Sequence, residues 1–200
     1  MLAYPGPNNF SIKISAILGK LFLAFLLNSI VFNFAAADTT TETWIEVDTS
    51  KQQLVVMTEW EVLLLIKGIS IGRFGASRAR MRGSNLTPIG TFKISSIRNS
   101  QRFYKFFAID YPNRETADLA RQENRIDLAT WEKIIKAIDN NRPVPQDTPL
   151  GGYLGIHGIG KGNPDIHRRY NWTNGCIALT NQQINQLSRW LKPGMRVTIF

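Results

Sequence analysis

The chain has a single cysteine, Cys176, and two histidines, His157 and His167. Any chemistry based on a thiol or an imidazole must use these three residues. One cysteine excludes an internal disulfide framework and a multi-cysteine zinc site. Two histidines and one cysteine also leave too few ligands for an iron–sulfur cluster. Nucleophilic catalysis is one chemistry still open to them. A catalytic cysteine needs a base or cation that favours the thiolate, backbone N–H groups aimed at a developing oxyanion, and access to substrate. His157 can be the base if the chain between the two residues folds back. Asn174-Gly175-Cys176 can form a turn whose amides converge, because Gly175 permits the needed backbone angles. The competing reading is a small buried hydrophobe at 176 and a structural histidine at 157. His167 lies among Asp165, Arg168 and Arg169 and reads as a loop histidine, or else as a substrate contact on a lid.

The elements that must position these residues are mostly strands. Trp44–Asp48 alternates apolar and polar residues, and Leu54–Met57 and Trp60–Lys67 are short runs rich in Val, Leu and Ile. Thr91–Ile94 and the aromatic Phe103–Asp110 read as further strands. Tyr153–Ile156 runs into His157-Gly158, Ile177–Thr180 follows the cysteine, and Met195–Phe200 closes the chain. Helical spacing recurs in one stretch between Glu115 and Asn140, with Asp127 as a cap and Trp131 as packing. A short helix capped by Asn181 precedes the last strand. Arg73, Arg78, Arg80 and Arg82 crowd one glycine-rich segment. They form either a solvated loop or an anion-attracting rim. Tyr153 and Trp172 can line a cleft or pack. Arg168 and Arg169 suit carboxylates, which guanidinium groups hold bidentately.

The N-terminal residues carry an address. Residues 1–37 contain Lys13 and Lys20 and no acid, then the apolar run Leu21–Phe34 and Ala35-Ala36-Ala37. A basic region, an apolar region and a small-residue site make a secretory signal peptide, followed by a short leader at 38–42. The alternative is an uncleaved anchor, although the run is shorter than the about 20 residues a span needs. Cleavage would leave about 160 residues, enough for one well-buried domain. Export makes the periplasm the expected location. It turns the net charge of +9 toward an acidic polymer or membrane surface and away from nucleic acid.

Several motifs in order carry a family resemblance. His157 is followed by 15 residues, then Thr173-Asn174-Gly175-Cys176-Ile177, with Asn181 five beyond the cysteine. Thr87-Pro88-Ile89-Gly90 precedes them, and Trp44–Asp48 resembles a first strand. Residues 43–200 resemble the catalytic domain of L,D-transpeptidases, the YkuD-type domain. The resemblance implies a mainly β, sandwich-like domain with a few helices. It implies Cys176 as nucleophile, His157 as proton acceptor and donor, and Asn174 and Gly175 shaping the oxyanion site. Tyr153, Gly158, Arg168, Arg169, Trp172 and Thr173 are the expected substrate contacts. The implied substrates are peptidoglycan stem peptides, with a wall-attached lipoprotein as a further partner and no metal or cofactor. Two positions depart from the family pattern: Asn174 replaces a histidine and Ala178 an arginine. A hydrolase that passes the thioester to water is therefore kept beside the transferase, and a non-catalytic wall-binding module is the third reading. With His157 as the base, activity is expected to fall at low pH, and a flat profile across roughly pH 5–8 would count against that role.

Overall fold

The computed structural model describes residues 1–3 and 41–200; the expected signal segment and leader lie outside the described residues, apart from 1–3 and 41–42. Residues 41–200 fall in one compact unit. No helix among the described residues is long and apolar enough to cross a membrane.

Ten strands and four helices make up this unit. The first strands are β1 (Trp44–Asp48), β2 (Gln53–Met57) and β3 (Val62–Lys67). The two-residue strands β4 (Ala76–Ser77) and β5 (Thr87–Pro88) pair with each other. The long strand β6 (Gly90–Ser100) returns as β7 (Tyr104–Ile109). Helices α1 (Arg114–Gln122) and α2 (Leu128–Asp139) follow, then β8 (Gly155–Gly158) and α3 (Pro164–Arg169). The chain ends with β9 (Ile177–Leu179), α4 (Asn181–Leu187) and β10 (Arg196–Ile199).

Eight strands join in the order β3-β2-β1-β10-β6-β7-β8-β9. The length of β6 explains how one ladder makes two layers. Its first half pairs with β10 through Gly90–Lys93, and its second half pairs with β7 as far as Ser100. The register shifts between Ile94 and Ser96, where such an irregularity bends a strand. Alternation then sends Ile45, Val47, Leu54, Val56, Phe92, Val197 and Ile199 inward from one layer, and Phe107, Ile109, Ile156, Ile177 and Leu179 inward from the other. All belong to one apolar cluster. The mainly β, sandwich-like architecture with a few helices is therefore as the sequence led us to expect.

Some local expectations change. The single helical stretch is two helices, broken where the chain turns through Asn124, whose φ is +55°. Asp127 caps α2 by accepting from the Thr130 amide, and Trp131 packs on the core while its Nε1 donates to Asp118 of α1. His167 is not a loop residue. Asn163 caps α3 and Pro164 opens it, a combination that starts helices, and His167 is buried on its inner side. Nor does Asn181 cap α4: Thr180 does so, in a capping box with Gln183.

Candidate active site

β8 and β9 run parallel, with His157 level with Ala178 and Ile156 level with Ile177. Extended by one residue, this register puts Cys176 level with Gly155. Successive residues of a strand face opposite ways, so the Ile156–Ile177 pair enters the core while Gly155, His157, Cys176 and Ala178 share the other face. Cys176 and His157 are thus diagonal neighbours. One strand over and two residues along is roughly 8 Å between Cα atoms, a span that two side chains can bridge. Both side chains line a cleft of about 490 Å³, together with Arg73, Arg80, Arg102, Phe103, Phe106, Tyr153, Trp172, Thr173 and Asn174.

The imidazole of His157 is enclosed by rings. Phe103 lies 4.1 Å from it between centroids, Phe106 stacks at 5.9 Å, and Trp172 presents its edge at 5.9 Å. Phe106 is the cross-strand partner of His157, so the β7–β8 register makes that stack. Only 2% of His157 is exposed. Burial pushes its pKa down to about 4, with the cation of Arg102 adding to the effect. Nδ1 lies 2.8 Å from the Gly158 carbonyl oxygen. A carbonyl can only accept, so Nδ1 carries the hydrogen of the neutral ring and Nε2 keeps its lone pair. Gly158 is therefore the group that orients the imidazole. It can hold no side chain, because a Cβ there would lie 2.8 Å from both the Phe103 oxygen and Asn181 Oδ1. Asn181 in turn accepts from the Gly160 amide and donates to the Gly160 oxygen, clamping the loop that leaves β8.

Backbone hydrogen bonds position the thiol. Thr173 Oγ1 accepts from the Gly175 amide at 3.1 Å and donates to the Cys176 carbonyl at 2.6 Å. One hydroxyl thus closes the turn that presents the cysteine. Gly175 has φ +124°, and a Cβ there would lie 2.6 Å from the Leu86 oxygen. The Thr87-Pro88 segment matters for a related reason: Thr87 Oγ1 accepts from the Gly72 amide, and Gly72 bridges to Thr173. The thiol of half-buried Cys176 donates to the Tyr153 carbonyl at 3.7 Å. Burial raises its pKa to about 11, opposed by the Gly155 amide and the Arg80 cation. Cysteine and histidine therefore rest as a neutral thiol and a neutral imidazole.

The structure brings only some of the expected contacts together. Tyr153, Trp172, Thr173 and Asn174 reach the cleft. Thr173 is buried and serves the turn, and the Gly175 amide is already bonded to it. Gly158 lies behind the imidazole. Arg168 and Arg169 are exposed on α3 and do not line the cleft; Arg168 pairs with Asp165 one helical turn away. The arginine cluster divides. Arg73 reaches the cleft and donates to Asn174 Oδ1 at 2.7 Å. Buried Arg80 runs under the Gly175 turn and donates to the Leu86 and Leu150 carbonyls. Arg78 lines a hollow beside α1, and Arg82 donates to the Asp147 carbonyl. Sequence reasoning missed Arg102, Phe103 and Phe106 as cleft residues; the aromatic run of β7 was the available signal. Ala178 stands opposite His157, fully buried between β8 and the Ser70 strand bridge, where an arginine would have no room.

Comparison with solved structures shows the same fold elsewhere. The helical cell shape determining protein Pgp2 from Campylobacter jejuni is similar with a TM-score of 0.53 and 17% identity, over 80% of this chain and 47% of that one. Bd1075 from Bdellovibrio bacteriovorus is similar with a TM-score of 0.50 and 18% identity, over 80% of this chain and 48% of that one. The chain thus spans about half the length of these structures. No curated protein matches the sequence. The YkuD family, described as the L,D-transpeptidase catalytic domain, matches residues 42–199. That match takes in every strand and helix described above, and the chain belongs to the L,D-transpeptidase catalytic domain family.

Proposed function

We propose that the chain is an exported cysteine L,D-transpeptidase that acts on peptidoglycan tetrapeptide stems through a Cys176 thioester. The observation that carries this reading is the placement of Cys176 and His157 on one face of β8–β9, in a cleft that both line. The family acts on stem peptides, and a cleft with three arginines suits their carboxylates. The neutral imidazole takes the thiol proton at Nε2 as sulfur attacks the carbonyl of the diaminopimelate residue that precedes D-alanine. The carbonyl oxygen gains the negative charge. With the Gly175 amide engaged by Thr173, the Asn174 and Cys176 amides are the donors left in the turn to meet it. Collapse breaks the amide bond, and His157 returns its proton to the leaving D-alanine amine. An amine from a second stem, or from a wall-attached lipoprotein, then attacks the thioester and frees the thiol.

The signal-like pattern of residues 1–37 supports export to the periplasm, where the polymer lies. Detection of the processed protein in a periplasmic fraction tests it. The reaction is tested by incubating the protein with disaccharide tetrapeptides and weighing the products. Dimers are expected. Tripeptides without dimers would replace the transferase with a hydrolase, and no turnover would leave a binding module.

A further inference from the structure

We infer that Arg102 reads the C-terminal carboxylate of the residue that leaves, which makes a free carboxylate next to the scissile bond a requirement for good binding. This inference rests on the reaction proposed above and assigns its leaving-group site. The three cleft arginines differ in what they already hold. Arg80 is buried against the Leu86 and Leu150 carbonyls and the Tyr111 ring, and Arg73 holds the Asn174 side chain. Arg102 sits at the turn between β6 and β7, exposed, with its guanidinium 4.9 Å from the Phe103 ring centroid. It takes part in none of the ion pairs among the described residues. A guanidinium resting on a ring keeps its N–H edge available and loses less freedom when it binds. No acidic residue lines the cleft to compete for it.

The position fits one carboxylate in particular. Phe103 lies against His157, so Arg102 marks the histidine side of the cleft. His157 must give its proton to the leaving nitrogen, so the leaving residue lies on that same side. Its carboxylate is two bonds from that nitrogen, while the acyl part stays on the sulfur. Arg73 and Asn174 stand at the cysteine end. A substrate cut at an internal amide would bring no carboxylate to Arg102.

The test uses the full chain with Cys176→Ala, so that nothing turns over. Calorimetry compares a stem tetrapeptide ending in a free carboxylate with the same peptide ending in an amide. The free acid should bind at least about tenfold tighter, a typical contribution of a charge-assisted pair. Arg102→Gln should bring the two peptides within about twofold, and Arg168→Gln should leave the preference intact. Equal binding of acid and amide, binding of neither, or a preference that survives Arg102→Gln would each overturn the assignment. Thermal melting of each variant reports folding. If the unmutated chain turned over no stem at all while the Arg102-dependent preference persisted, the proposed reaction would fall and the carboxylate site would stand.

Discussion

His157 is held by rings on three sides and by one carbonyl behind it, whereas Cys176 is held by a turn that one hydroxyl ties together. The imidazole is positioned by packing and the thiol by hydrogen bonds. The two kinds of support have different chemical consequences. Packing removes water from the imidazole and keeps it neutral. The turn keeps backbone amides beside the thiol and leaves its open side to the cleft. In the reaction proposed above, an imidazole made weakly basic by burial and a thiol made hard to ionise by burial exchange one proton as sulfur attacks, instead of starting from a thiolate.

The largest effects should come from removing either end. Cys176→Ala should lower turnover by about 10⁴-fold or more, with the melting temperature nearly unchanged because the residue is only half-buried. Intact mass after incubation with stems should show no adduct on the variant; a persistent adduct would place the nucleophile elsewhere. His157→Gln should cost about 10²- to 10⁴-fold in kcat, the usual contribution of a general base. It should also disturb the aromatic box, so near-ultraviolet circular dichroism should change where it does not for Cys176→Ala. That contrast breaks the comparison if both variants alter the aromatic signal alike.

The turn can be weakened without touching either reacting group. Thr173→Val keeps the shape of a buried residue and leaves the Gly175 amide and one Cys176 carbonyl bond without their hydroxyl. An unpaired buried group costs about 1–3 kcal/mol. A rate loss between a few-fold and about a hundredfold is expected, with Thr173→Ser close to the unmodified chain. Steady-state kinetics of the two variants separates the hydroxyl from the methyl. Equal losses would show that the methyl contact matters and the hydrogen bonds do not.

The strands were legible because alternation writes itself into sequence: Ile45, Val47, Leu54 and Val56 all point where their spacing says they should. The His157 and Cys176 motif was legible for a different reason, its spacing within a family pattern. The surroundings were not. Arg168 and Arg169 are near Cys176 along the chain, but α3 carries them out of the cleft lining. Arg102 and Phe103 are more than fifty residues before His157 in sequence, and only the β6–β7 turn brings them to it. Asn181 looked like a helix cap because asparagine often is one; its clamp on Gly160 depends on a contact across twenty-one residues. Long-range contacts of this kind leave no local pattern to read.

The weakest expected effect is the most discriminating one, a near absence of pH dependence in the middle range. A histidine of ordinary basicity would lose its lone pair on acidification across pH 5–8, as the sequence alone leads one to expect. Burial in the aromatic box places that loss near pH 4, and the thiol does not ionise until about 11. The reactive form, which holds one proton between sulfur and nitrogen, therefore persists between those limits. kcat/KM should vary by less than about twofold from pH 5 to 8 and fall only as pH approaches 4. Stability should behave differently over the same acidic range. The pKa values of His157 and His167 are depressed by burial, so the unfolded chain takes up protons first. The folded state should lose stability as pH drops below about 6.5 and on through 4. Thermal melts at each pH therefore accompany the rates. A rate that climbed tenfold between pH 5 and 7 in protein that stayed folded would mean that water reaches His157, and the contrast between a packed base and a hydrogen-bonded nucleophile would be lost.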